Sequence, residues 1–124
     1  MRVKGIVWLG TRTERFDEMR QFFLDITGVA PRDDPGLAVF DLANGDRIEV
    51  LDMAAGESYM VEPVVGFLVD DVAAARAELE SRGIEFVGPI RSGAGSSWSH
   101  FRAPDGHVYE LTALPGHPAG ALGS

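Results

Sequence analysis

Hydrophobic and polar residues alternate in two stretches of the chain, and each stretch follows a tight-turn signal. Asn44-Gly45 precedes the alternating residues 47–52, and Asp105-Gly106 precedes the alternating residues 107–113. Such pairs supply the positive φ angles of a hairpin turn, and strict alternation is typical of a strand with one buried face. Glu49 and Glu110 each stand four residues after the turn glycine, 61 positions apart. Each carboxylate is therefore predicted on one defined face of its strand.

The pattern around these two strands predicts the same element order in both halves of the chain. The first half is predicted to contain a strand, a helix and three strands, at residues 3–10, 12–27, 29–33, 37–42 and 47–52. The second half repeats that order at residues 64–69, 71–82, 84–87, 98–102 and 107–113. Two such units can pair their sheets into one curved surface.

Helix boundaries follow from capping signals. Residues 11–14, Thr-Arg-Thr-Glu, fit a capping box and predict the start of the first helix, and Gly28 predicts its end. Asp70-Asp71 predicts the cap of the second helix. The apolar face of the first helix is predicted to consist of Phe16, Met19, Phe23 and Ile26.

Three segments show no clear period. Residues 54–62 are interpreted as a linker and residues 115–124 as a mobile tail. Residues 88–97 are rich in glycine and serine and are interpreted as a flexible rim. They are not a phosphate-binding loop, because no Gly-Lys-Ser/Thr follows and the next element is a strand.

Composition narrows the function classes. The 124 residues are 45% hydrophobic with a net charge of −8, which is typical of a soluble domain and argues against nucleic-acid binding. No basic amphipathic stretch suggests a membrane partner. The absence of cysteine excludes disulfides and thiolate chemistry. The apolar run that ends at Leu9 is too short for a signal peptide, so we expect a cytoplasmic protein.

The repeated plan resembles the vicinal oxygen chelate superfamily, which includes glyoxalase I, bleomycin-binding proteins, extradiol dioxygenases and fosfomycin-resistance enzymes. The most specific pieces are residues 104–111, Pro-Asp-Gly-His-Val-Tyr-Glu-Leu, and the segment Phe67-x-Val69-Asp70-Asp71 before a helix ending at Gly83. The resemblance implies an α+β fold. Two βαβββ modules, at about 1–53 and 63–114, would form one cup-shaped mixed sheet with the helices on its convex side.

The resemblance also implies where a divalent metal would bind. The superfamily takes ligands from the first and last strands of each module, and these positions fall on Ile6, Val64, Glu49 and Glu110. Two of the four are aliphatic, whereas a transition metal needs about three protein ligands and favours nitrogen donors. We therefore expect no metal cofactor. If a metal binds, its ligands would be Glu49, His100 and Glu110.

His100 is the candidate that the fold does not require. In the fosfomycin-resistance branch the residue before the phenylalanine of this hairpin contacts substrate, and His100 occupies that position, on the same strand face as Trp98. An imidazole titrates near neutrality and could act as an acid, a base or a metal ligand. The alternative is a hydrogen-bonded histidine of a half-exposed strand.

Aromatic and basic residues complete the candidate cup. Trp8 is predicted to share a face with Ile6, and Trp8 and Trp98 would either stack on a flat ligand or fill space. Arg47 and Arg102 are the predicted partners that would compensate the carboxylates.

Two functions remain open. The first is a metal-free, bleomycin-resistance-like protein that binds an aromatic or amphipathic small molecule without transforming it. Its predicted binding residues are Ile6, Trp8, Arg47, Glu49, Val64, Trp98, His100, Arg102 and Glu110. The second is an isomerase, lyase or cyclase that uses Glu49, His100 and Glu110 for proton transfer. For both we expect a symmetric homodimer, with the modules of a cup supplied by one chain or exchanged between two, and a monomer as the alternative.

Overall fold

The computed structural model describes residues 1–119. Its helices are α1 (Phe16–Thr27) and α2 (Val72–Ser81). Its strands are β1 (Ile6–Arg12), β2 (Arg32–Asp34), β3 (Leu37–Asp41), β4 (Arg47–Leu51), β5 (Val64–Leu68), β6 (Phe86–Gly93), β7 (Ser96–Arg102) and β8 (Val108–Ala113). Each half is thus a strand, a helix and three strands, which confirms the predicted repeat.

All eight strands form one open mixed sheet in the order β2-β3-β4-β1-β5-β8-β7-β6. Within each half the first and last strands run parallel, as β1 with β4 and β5 with β8. The two halves join where β1 pairs antiparallel with β5. One chain therefore supplies both halves of the sheet, and the predicted α+β class with two βαβββ modules is confirmed.

Both helices cover the same face of this sheet. Phe23 of α1 packs in one cluster with Phe40 and Val50, and Val72 of α2 packs in another with Leu111. Strand side chains alternate between faces. Glu49 and Glu110, the neighbours of Val50 and Leu111, therefore lie on the face without helices, as predicted.

The start of α1 differs from the prediction. Thr11 and Arg12 belong to β1, where they pair with Val50 and Leu51, so no capping box forms. The turn into the helix is made instead by Thr13, whose Oγ1 accepts the N–H of Arg15 at 3.0 Å. The N-cap position falls on Arg15, whose side chain makes no capping hydrogen bond.

The other end of α1 is as predicted, and Phe16, Met19 and Phe23 of its predicted apolar face pack against the sheet, whereas Ile26 does not. Gly28 adopts the left-handed conformation, with φ of 67°, and donates to the carbonyl of Leu24. Ile26 is 61% exposed, and Leu24 packs against the sheet in its place. The second helix follows its signal, because the carboxylate of Asp71 accepts the N–H of Ala74 at 3.0 Å.

Most of the segment predicted as a flexible rim is regular structure. β6 continues to Gly93 and β7 begins at Ser96, so that only Ala94 and Gly95, both with positive φ, form the turn. β6 is the last strand of the sheet. Because its outer residues are exposed on both faces, they lack the apolar alternation by which a strand is recognised.

The segment between β4 and β5, residues 52–63, packs against the sheet. We call it the connecting segment. Oδ1 of Asp52 accepts the N–H groups of Ala54 and Ala55, and Met60 is buried in the cluster that contains Trp8. The predicted linker is therefore an ordered part of the concave side.

Beyond β8, the described part of the tail also makes contacts. Nε2 of His117 lies 2.8 Å from Oδ1 of Asp46, in the turn before β4. Residues 120–124, the rest of the predicted mobile tail, lie outside the described residues. Within residues 1–119, neither helix is long and apolar enough to span a bilayer.

Candidate functional site

A cavity of about 240 Å³ opens on the concave face of the sheet, where the two halves meet. It is lined by residues from both halves and from the connecting segment. The lining residues are Trp8, Leu37, Arg47, Glu49, Leu51, Ala55, Gly56, Glu57, Met60, Ser96, Trp98, His100, Glu110, Thr112 and Leu114.

Two glycines shape the floor of this cavity. Gly10 on β1 stands opposite Glu49 on β4, and Gly66 on β5 stands opposite Glu110 on β8, so the halves repeat the same pairing. The Trp8 ring lies over Gly10, where a Cβ would come within 2.0 Å of the indole. A Cβ on Gly66 would lie 2.9 Å from Cβ of Trp8 and 3.2 Å from Oε2 of Glu110. The missing side chains make room for the indole and the carboxyl.

Glu49 is held by an indole and not by an arginine. Nε1 of Trp8 donates to Oε2 of Glu49 at 2.9 Å. Arg47, the predicted partner of Glu49, instead contacts Oδ1 of Asp41 at 3.1 Å. Within residues 1–119, Glu49 forms no ion pair with a lysine or an arginine. Its carboxylate therefore has one neutral hydrogen-bond donor and no direct ion pair, while the guanidinium of Arg32 on β2 acts on it only through space.

Glu110 and His100 form a buried pair at the other side of the cavity. The two residues are 4% and 3% exposed, and Oε1 of Glu110 lies 2.9 Å from Nε2 of His100. The contact is poorly aligned, so Nε2 makes no regular hydrogen bond. Burial raises the pKa of Glu110, His100 partly opposes that shift, and Glu49 adds to it.

The second nitrogen of His100 has a partner that sequence reasoning did not find. Nδ1 lies 2.8 Å from the hydroxyl of Tyr59, and the two rings meet edge to face with centroids 5.3 Å apart. Tyr59 belongs to the connecting segment, which also brings Met60 to the cavity wall. The only sequence signal was an aromatic residue within a segment that shows no clear period.

Six of the nine predicted binding residues line the cavity: Trp8, Arg47, Glu49, Trp98, His100 and Glu110. The structure thus assembles both predicted tryptophans and all three predicted proton-transfer residues around one space. Their roles in binding or in catalysis remain predictions.

Ile6 and Val64 do not line the cavity. Ile6 pairs with Phe67 and Trp8 pairs with Gly66, so Val7 is an extra residue in β1 that interrupts the alternation. Ile6 and Trp8 consequently lie on opposite faces, and Ile6 is 65% exposed. The prediction that they share the cup is wrong. Val64 faces the concave side but is buried in the core cluster beneath the cavity.

Arg102 is also outside the cavity. Its guanidinium donates to the carbonyl of Gly106 at 3.0 Å and lies 4.0 Å from the carboxylate of Glu85. The arginine therefore stabilises the β7–β8 turn. It does not compensate either cavity carboxylate, contrary to the prediction.

The residues present do not fit the metal centre that the resemblance implies. Gly10 and Gly66 are equivalent positions of the two halves, because each stands opposite the glutamate of its last strand. Trp8 and Val64, each two residues before that glycine, are therefore equivalent as well, and neither side chain is a metal ligand. No group of three or more His, Cys, Asp or Glu within residues 1–119 is placed to hold a metal ion. The conditional set of Glu49, His100 and Glu110 is therefore not assembled as a ligand cluster.

Several solved structures share this fold at low sequence identity. A variant of methylmalonyl-CoA epimerase from Streptomyces coelicolor, in complex with 2-nitronate-propionyl-CoA, is 17% identical with a TM-score of 0.69, covering 92% of this chain and 99% of that one. Methylmalonyl-CoA epimerase from Mycobacterium tuberculosis is 19% identical with a TM-score of 0.67, covering 91% and 90%. A chain described as NAD-dependent benzaldehyde dehydrogenase from Legionella pneumophila is 15% identical with a TM-score of 0.67, covering 86% and 97%.

No curated protein sequence is significantly similar to this chain. The family model of the Glyoxalase/Bleomycin resistance protein/Dioxygenase superfamily matches residues 5–111, which span both halves of the sheet and the whole cavity. The chain belongs to that superfamily, with no three-residue metal-ligand cluster among residues 1–119.

Proposed function

We propose that this protein binds a small aromatic molecule carrying an amino, amidino or hydroxyl group, in the manner of the bleomycin-resistance-like branch. The observation that carries the proposal is the environment of Glu49. Its half-buried carboxylate lines the cavity beside the Trp8 indole, accepts that indole's N–H, and forms no direct ion pair with a lysine or arginine among residues 1–119; Arg32 on β2 acts on it only through space. A carboxylate in such surroundings is costly to desolvate unless a cation or donor lies against it.

The dimensions and walls of the cavity support a single-ring ligand. An apolar cavity of about 150 Å³ can hold benzene, so about 240 Å³ is enough for a ring with a short polar arm. The indoles of Trp8 and Trp98 offer aromatic faces, and a cation over an indole gains a further attraction.

The charge of the cavity disfavours polyanionic ligands. The epimerase structure from Streptomyces coelicolor contains a CoA derivative, whose phosphates are negative. Among the residues that the structure describes, Arg47 is the one lysine or arginine that lines the cavity, whereas three glutamates line it, and the net charge of the chain is −8. A CoA ester would meet repulsion here, so the proposal favours a cation or a neutral donor.

The experiment compares four single-ring probes by calorimetry: benzylamine, benzamidine, benzyl alcohol and benzoate. Benzylamine and benzamidine are expected to bind best, benzyl alcohol more weakly and benzoate worst. Glu49→Gln should weaken benzylamine binding about tenfold, since a hydrogen bond to a charged group contributes about 1.5–3 kcal/mol. Glu14→Gln is the matched control, because it makes the same charge change at an exposed residue away from the cavity.

The outcome that contradicts the proposal is equally clear. Benzoate binding as tightly as benzylamine, or equal losses in Glu49→Gln and Glu14→Gln, would show that the Glu49 carboxylate does not select the ligand.

One observation favours a second candidate, a proton-transfer enzyme. His100 lies 2.9 Å from a buried Glu110 whose pKa is raised, which suits exchange of a proton with a bound carbon acid. Incubating a bound compound in deuterium oxide and weighing the recovered molecule separates the two functions. A binder returns it without carbon-bound deuterium, whereas a proton-transfer enzyme using Glu49, His100 or Glu110 exchanges a C–H.

A further inference from the structure

Tyr59 contacts the buried pair of His100 and Glu110 from outside the cavity. Its hydroxyl lies 2.8 Å from Nδ1 of His100, while Nε2 of the same ring lies 2.9 Å from Oε1 of Glu110. Tyr59 does not itself line the cavity, and it lines a separate small pocket of about 30 Å³. Its polar contact with the site is the one to His100, and its ring also packs against the cluster that contains Trp8 and Met60.

The neighbouring residues hold Tyr59 in this position. Met60, the next residue, is buried against the cluster of Trp8 and Val64, and its backbone N–H donates to the carbonyl of Glu57 at 3.0 Å. The carboxylate of Glu57 lies 3.3 Å from Arg91 on β6. The connecting segment is thus fastened on both sides of the tyrosine.

The two contacts of His100 decide which ring nitrogen carries the proton. A phenol, with an ordinary pKa of about 10, keeps its proton at neutral pH and can donate it to Nδ1. The ring proton then resides on Nε2, facing the Glu110 oxygen. The opposite tautomer would leave a lone pair of Nε2 against a carboxylate oxygen at 2.9 Å and the phenol proton without an acceptor.

We propose that Tyr59 is a positioning residue of the cavity: its hydroxyl holds His100 with the ring proton on Nε2, the nitrogen next to Glu110, so that the Glu110 carboxylate remains an acceptor for the donor group of the bound molecule. The inference rests on the proposed function for the ligand. The orientation and tautomer of His100 can be tested without any ligand.

The first test is nitrogen NMR of protein labelled in its three histidines. The ring of His100, assigned by its loss in His100→Gln, is expected to show a protonated Nε2 and an unprotonated Nδ1. Tyr59→Phe should move both signals toward the average of the two tautomers. Tyr109→Phe is the control, because Tyr109 stacks on Phe101 on the helix-covered face.

The second test measures benzylamine affinity in the same proteins. Tyr59→Phe should weaken binding about fivefold, as expected for the loss of one hydrogen bond that orders the acceptor, while Tyr109→Phe should leave it unchanged. Tyr59→Phe keeps the aromatic ring, and its melting temperature is recorded to confirm folding.

The outcomes separate the two proposals. A proton on Nδ1 in the wild-type protein, or unchanged His100 signals in Tyr59→Phe, overturns the positioning role even if benzylamine binds. Failure of the wild-type protein to bind any of the four probes overturns the proposed ligand class. It also removes the part of the inference that concerns the bound molecule.

Discussion

Trp8 and Glu49 are joined by a hydrogen bond from the indole Nε1 to Oε2, 2.9 Å long, across the parallel strands β1 and β4. This bond places an anchored carboxylate on one wall of an otherwise largely apolar cavity. Trp8 stands where its counterpart in the other half is Val64. The duplicated fold is therefore kept while the two positions have diverged in size and polarity.

Replacing Trp8 should test this bond. Trp8→Phe keeps an aromatic ring but removes the N–H, so we expect the free energy of unfolding to fall by about 1–3 kcal/mol and benzylamine binding to weaken. Trp98→Phe is the control, since Trp98 lines the same cavity on β7. Equal effects of the two substitutions in denaturant titration and calorimetry would mean that the N–H bond to Glu49 contributes nothing specific.

A side chain at Gly10 should displace the Trp8 ring. A Cβ there would lie 2.0 Å from the indole, so Gly10→Ala is expected to cost about 1–3 kcal/mol of stability and to change Trp8 fluorescence. Gly93→Ala provides the comparison, because its Cβ would meet Trp98 at an ordinary 3.5 Å. A wild-type melting temperature for Gly10→Ala would contradict the observed stacking.

Glu110→Gln should stabilise the fold at neutral pH while weakening ligand binding. Because burial raises the pKa of Glu110, the folded state holds this proton more tightly than the unfolded state. The contribution of Glu110 to the free energy of unfolding is therefore largest below the ordinary pKa of 4.5. It declines as the pH rises from 4.5 to the pKa of Glu110 in the folded state. Glutamine has no such loss, so the stability advantage of the variant should be absent below pH 4.5, grow across that window and be complete above it.

Denaturant unfolding curves of the wild-type protein and of Glu110→Gln, recorded from pH 4 to pH 8, measure how the difference in their free energies of unfolding depends on pH. A variant that is less stable than wild type at every pH would show that the ionised carboxylate is favoured by the fold. Benzylamine calorimetry on the same samples should show weaker binding by Glu110→Gln.

The purified protein should contain no stoichiometric transition metal. Within residues 1–119 the counterparts of the first-strand ligand positions, Trp8 and Val64, are not metal ligands, and no three-residue cluster assembles. Elemental analysis after purification without chelators is expected to find far less than one equivalent of zinc, iron or nickel. One equivalent of any of them, lost in His100→Ala, would reverse this account.

We predict a homodimer in solution. The sheet ends in two uncovered strands, β2 and β6, and exposed strand edges favour pairing. Light scattering at micromolar concentration should give about twice the chain mass of 13.4 kDa. A single 13.4 kDa particle would support the monomer, which the complete cup within one chain allows.

The sequence by itself determined the repeat and the faces of the sheet. Turn glycines, alternating strands and the stop at Gly28 are local signals, since each depends on the φ angle or the side-chain period of a few residues. They were enough to place Glu49 and Glu110 on the face without helices, and to place Trp98 and His100 beside them.

Only the tertiary structure decided what surrounds those carboxylates. The extra residue Val7 depends on how β1 pairs with β5, and it turns Ile6 away from the cup. Arg47 binds Asp41 rather than Glu49 because a flexible side chain takes whichever carboxylate the folded strands bring nearest. Tyr59 reaches His100 through contacts 41 positions apart in the chain. Such pairings are set by packing between distant segments, which leaves no periodic trace in the sequence.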